Sequence, residues 1–99
     1  MEPLTAEAVE EALAKLPGWA HRGDVLTKEF QFSDFREAMS FIVRVGFAAE
    51  SQGHHPELFN VYNKVTIGLT THDAGGKVTQ NDVDLAEAIE GFNWVPKKN

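Results

Sequence analysis

ESQGHHPELFNVYNKVTIGLTTH, residues 50–72, contains the change from helix to sheet on which the fold depends. Gly53 suits the left-handed position just past a helix end, and Pro56 resists helix continuation. LFNVY (58–62) and VTIGLTT (65–71) are rich in β-branched and aromatic residues, so they read as strands. Asn63-Lys64 between them reads as a hairpin turn. If the chain runs out through Val61 and returns through Val65, His72 comes back level with His54, His55 and Glu50. One end of the sheet then carries three of the four histidines.

Working outward, Asp34 with Glu37 forms a capping-box pattern that opens a helix running to about Gln52. Before it, WAHR (19–22) and VLTKEFQF (25–32) flank Gly23-Asp24 as a first hairpin, with Leu26, Lys28, Phe30 and Phe32 on one face. Val9, Ala12, Leu13 and Leu16 recur at helical spacing behind a Thr5 N-cap, and Pro17-Gly18 stops that helix. HDAGGK (72–77) reads as a loop. Thr79 and Asp82 open a third helix whose apolar stripe is Leu85, Ile89 and Phe92. The order α-β-β-α-β-β-α, with strands paired through short turns, predicts an α+β fold: a four-stranded antiparallel sheet with three helices packed on one face.

Ninety-nine residues make one domain, 1–99. Absence of cysteine excludes disulfides, thiolate metal sites and cysteine nucleophiles, and fits a reducing compartment. The opening MEPLTAEAVEEAL lacks a basic n-region, and no stretch reaches the ~18 apolar residues of a membrane span, so the cytoplasm is expected. A net charge of −6 disfavours direct nucleic-acid binding. Lysines and arginines are scattered apart from Lys97 and Lys98, which read as a solvated tail.

The central helix bears on assembly. At 100° per residue, Arg36, Glu37, Ser40, Arg44 and Ser51 share one sector, while apolar residues including Phe41, Val43, Phe47 and Ala48 occupy roughly 260°. A helix lying on a sheet needs about 100–140° of apolar arc. Either the flanking helices cover the excess, or a second copy does, through a face centred on Val43 and Phe47. Glu50 falls on the apolar side in the last turn, where it either reaches water at a fraying end or faces a ligand pocket.

The histidines admit three readings. Glu50 and His54 stand at i,i+4 with His72 as a third ligand, which is a metal pattern. Gly53 breaks that helical geometry, and adjacent residues in extended chain point to opposite sides. Neighbouring imidazoles otherwise supply a proton donor and acceptor near neutrality, or serve as ordinary surface and cap residues. No G-x-S-x-G, P-loop or dinucleotide motif is present.

AESQGHHPELFNVYNKVTIGLTTHD (49–73), followed by VTQNDVDLAEAIE (78–90), closely resembles the pterin-4a-carbinolamine dehydratases. PGW (17–19) and FSDFREAMSFIVRV (32–45) also fit, so the resemblance covers nearly the whole chain. It implies an α+β fold, a homo-oligomer (dimer, or tetramer through the central helix), and dehydration of 4a-hydroxytetrahydropterin to quinonoid dihydropterin. No metal or other cofactor is implied. His54, His55 and His72 would surround the reacting carbon, with His54 and His72 as the acid–base pair. Glu50, Asp82, Trp19 and Pro56 would contact substrate. Trp19 after Pro17-Gly18 also reads as a core anchor, and Asp82 also reads as a capping residue. Animal enzymes of the family commonly carry arginine where Asn81 stands, which puts the rim contacts in question. Some animal relatives also bind a dimeric transcription factor, so a protein-binding coactivator is the alternative function.

Overall fold

The structure, a computed structural model, describes residues 1–92. Lys97 and Lys98 lie outside the described residues. The elements run α1 (Ala6–Leu13), β1 (Ala20–Arg22), β2 (Val25–Gln31), α2 (Phe35–Gln52), β3 (Glu57–Val61), β4 (Lys64–Leu69), a 3₁₀ turn (His72–Ala74) and α3 (Gln80–Gly91). The four strands form one antiparallel sheet in the order β1-β2-β4-β3. No described helix is long and apolar enough to cross a membrane.

Local chemistry sets most element boundaries. Thr5 caps α1 by accepting from Ala8 N–H at 3.1 Å. Asp34 Oδ1 caps α2 through Glu37 N–H at 2.9 Å. The Glu37 carboxylate reaches Ser33 N–H at 2.8 Å, one residue earlier than the capping-box pattern predicts. At the other end of α2, Gly53 adopts φ 63°. Gly53 N–H donates to the Glu50 carbonyl and His54 N–H to the Ala49 carbonyl, each at 3.1 Å. This is the Schellman pairing that a glycine at C′ permits. It fixes the backbone of His54 to the helix that precedes it.

The core lies between one face of the sheet and the helices. Leu26 and Phe30 of β2 and Val65, Ile67 and Leu69 of β4 are buried against Ala38, Phe41, Val45 and Ala49 of α2, with Leu85, Ala86 and Ile89 of α3. Phe41 meets Phe30 and Phe32 at ring-centroid distances of 4.7 and 4.9 Å. The i, i+3/i+4 spacing of the buried α2 residues leaves Val43 56% and Phe47 75% exposed on the side away from the sheet. The expected apolar excess is therefore real, and α1 and α3 do not cover it.

Two details differ from the sequence reading. The second hairpin turns through Tyr62-Asn63, not Asn63-Lys64, because Lys64 pairs with Val61. Asn63 is drawn into the turn by a distant partner: its amide donates to the Phe32 carbonyl and its own carbonyl accepts from Phe32 N–H, both at 2.8 Å. Tyr62 takes φ 51° as a result. The strand ends sooner than VTIGLTT suggests: β4 stops at Leu69, so Thr70 and Thr71 lie beyond it, and the HDAGGK loop after them contains a short 3₁₀ turn.

Candidate active site

The hairpin returns the chain to the end of α2, as the sequence requires, and a cleft of about 240 Å³ opens there. Gly53, His54 and His55 form one wall. Thr70, Thr71, His72 and Asp73 form another, and Asn81 from the first turn of α3 completes it. All three predicted histidines thus line one cavity. His54 arrives from a helix C-terminus, His72 from a strand end, and Asn81 from a helix N-terminus.

His54 is the most constrained of them. Its side chain is 12% exposed, and Nε2 lies 2.5 Å from Oδ1 of the fully buried Asp82. The second oxygen of that carboxylate, Oδ2, accepts from Thr79 N–H and from the Thr71 hydroxyl, each at 2.8 Å. Asp82 therefore stands behind His54, outside the cleft lining, with both oxygens engaged. An ionised carboxylate only accepts, so Nε2 of His54 must carry a hydrogen. Nδ1 is then the nitrogen left to exchange a proton.

His55 takes the other side of the chain, as adjacent extended residues do. Its Nε2 meets Glu50 Oε1 at 2.8 Å, with the two side chains 67% and 79% exposed. Glu50 escapes the apolar side of α2 by reaching this exposed partner and does not line the cleft. Glu50 and His54, the i,i+4 pair of the metal pattern, thus turn to different partners.

Trp19 is buried in the core, edge-on to Phe30, with Nε1 donating to Glu90 at 2.9 Å. The same Glu90 oxygen holds Lys28 at 2.7 Å. Trp19 thus occupies the core-anchor position rather than the cleft. Pro56 is half-buried at the start of β3 and also lies outside the cleft lining. Sequence reasoning passed over Thr71, and read Thr79 only as a cap. The available signal was a hydroxyl residue directly before His72.

The family model described as pterin 4 alpha carbinolamine dehydratase matches residues 2–92. The chain belongs to the pterin-4α-carbinolamine dehydratase family. Among curated members, a protein from Opitutus terrae, provisionally named a pterin-4-alpha-carbinolamine dehydratase, is 53% identical over 92 residues, covering 93% of this chain and 95% of its own. A Sulfurisphaera tokodaii protein with the same provisional name is 47% identical, covering 91% and 96%. A crystal structure described as a transcriptional coactivator/pterin dehydratase from Brucella melitensis is similar at a TM-score of 0.85 and 37% identity, covering 90% of this chain and 96% of that one.

Proposed function

We propose that this chain removes water from a 4a-hydroxytetrahydropterin to give quinonoid dihydropterin, recycling the pterin used by aromatic amino acid hydroxylases in the cytoplasm. The observation that carries the proposal is the pair of imidazoles on one cleft, one of them backed by a buried carboxylate. The reaction needs one proton taken and one given. N5–H loses its proton to a base, the N5=C4a bond forms, the C4a–O bond breaks, and the hydroxyl leaves with a proton from an acid as water. These transfers balance without a redox change, so two side chains suffice and no cofactor or metal is required.

His54 is the base in this scheme. Asp82 holds the Nε2–H tautomer, which presents Nδ1 as acceptor, and stabilises the imidazolium formed after transfer. His72 on the opposite wall is the acid. His55, paired with Glu50, and Asn81 border the substrate. A cleft of about 240 Å³ is below the ~300–1,000 Å³ usual for small-molecule pockets. That size suits entry of the reacting ring with the pterin side chain left outside.

The test is stopped-flow absorbance of a freshly generated 4a-carbinolamine. Catalytic protein is expected to accelerate its decay in proportion to concentration. Decay at the buffer rate across micromolar protein would overturn the assignment.

The exposed Val43 and Phe47 support homo-oligomerisation through α2. Light scattering at micromolar concentration is expected to give a dimer or tetramer mass, which Phe47→Glu should lower. A monomeric wild-type protein would overturn that reading and leave the face available to a different protein partner.

A further inference from the structure

We infer that Thr79 and Thr71 form a one-way hydroxyl relay that fixes the orientation of the Asp82 carboxylate against His54, which makes Thr71 a positioning residue for the base; the inference rests on the dehydratase reading of His54. Counting hydrogens gives each bond its direction. Asp82 as a carboxylate only accepts. The Thr71 hydroxyl lies 2.8 Å from Asp82 Oδ2, so its single hydrogen is committed there. The 2.7 Å contact between the two threonine hydroxyls must then be donated by Thr79. Thr79 Oγ1 in turn accepts from Asn81 N–H at 3.2 Å. The relay thus begins at an amide in the first turn of α3, passes through two hydroxyls, and ends on one carboxylate oxygen.

Burial gives this arrangement its effect. Thr79 is 0% and Thr71 5% exposed, so water does not compete for the bonds. Head-to-tail hydroxyls polarise one another in a low-dielectric interior. An aspartate at position 79 could cap α3 equally well, but it could not donate onward to Thr71. The hydroxyl therefore does something beyond capping.

Torsion about the terminal bond of an aspartate is otherwise soft. With Oδ2 held by Thr79 N–H and the Thr71 hydroxyl, the carboxylate cannot swing, and Oδ1 is the oxygen presented to His54. Thr71 also carries the backbone of the opposite wall. Its N–H donates to the Lys77 carbonyl at 2.9 Å, and its carbonyl accepts from Ala74 and Gly76 N–H, both at 3.1 Å. One residue therefore references both histidine walls, since His72 follows it directly. The remaining titratable groups on the cleft are His55, held by Glu50, His72 and Asp73. None of them is hydrogen-bonded to Asp82 or to either threonine hydroxyl among the bonds described.

The test compares wild type, Thr71→Val and Thr71→Ser by imidazole ¹⁵N resonances of His54 and by steady-state dehydration. Wild type is expected to show His54 predominantly as the Nε2–H tautomer. Thr71→Val should keep that tautomer, because either carboxylate oxygen accepts, but shift the Nε2–H ¹H and ¹⁵N resonances as the bond to Asp82 loosens. It should lower kcat about fivefold, the scale of one lost hydrogen bond, with KM little changed. Thr71→Ser should restore both readouts. Wild-type ¹⁵N shifts in folded Thr71→Val would overturn the relay. If the valine variant does not fold, the wild-type spectrum decides: a slowly exchanging Thr71 hydroxyl proton supports the relay, and one averaged with water overturns it. A wild-type protein that fails to dehydrate pterin would remove the catalytic reading while the nitrogen spectra still decide the hydrogen-bond chain.

Discussion

Replacing His54 with alanine is expected to slow carbinolamine dehydration by about 10²-fold or more in kcat, the scale of one lost acid–base catalyst. That corresponds to about 2.7 kcal/mol of barrier. Asp82→Asn should cost nearly as much, for a reason specific to this site. Thr79 N–H and the Thr71 hydroxyl both donate toward the Oδ2 position, so they would draw the amide oxygen of the new asparagine to that side. Its NH₂ would then face Nε2 of His54 as a donor, and a neutral ring must answer as an acceptor. The imidazole changes tautomer, Nδ1 becomes the N–H, and the base is lost while the ring stays in place. A His54→Ala or Asp82→Asn enzyme with wild-type kcat in stopped-flow assay would sink the assignment of His54 as base. His72→Ala, by contrast, should retain the Nε2–H form of His54 and still lose the acid.

The second large effect is on stability. Phe41→Ala is expected to remove about 3–5 kcal/mol, as for other buried phenylalanine truncations. Phe41 is fully buried and touches three aromatic rings, with the Phe92 centroid 6.2 Å away in addition to Phe30 and Phe32. Those neighbours come from β2, its C-terminal continuation and the end of α3, so no single element can move in to fill the void. A small domain has only about 5–15 kcal/mol in total. Urea unfolding at fixed protein concentration should show the loss at an unchanged m-value, with the melting temperature down by at least about 12 °C. A loss below about 1 kcal/mol would mean that the aromatic cluster can collapse on itself and that α2 is held chiefly from elsewhere.

What the sequence disclosed about this molecule follows the range of the interactions involved. Thr5, Asp34, Gly53 and Thr79 were legible as caps because their partners lie within a few residues. The return of His72 to His54 was legible because a hairpin converts local turn chemistry into a long-range neighbour. The turn itself was misplaced by one residue because Asn63 answers to Phe32, 31 positions away, and no local pattern announces that bond. Asp82 was legible as a cap but not as the partner of His54, from which 28 positions separate it. Glu50 was flagged correctly as a carboxylate out of place on a helix wheel. The wheel could not reveal that a flexible last-turn side chain would fold out to His55. Trp19 had two readings, and the one its burial bears out leaves Nε1 donating to Glu90, the carboxylate that also pairs with Lys28.

Asp82 belongs at once to the start of the last helix and to the hydrogen bonding of His54, the proposed base. Most catalytic positions can drift in a lineage that no longer needs the reaction, leaving an inert but abundant protein. Here that route is narrowed. A side chain at 82 that cannot cap α3 also weakens the folded state, and a cell clears such a chain through its quality-control proteases. Natural variants at this position should accordingly show up as scarce protein more often than as plentiful, inactive protein.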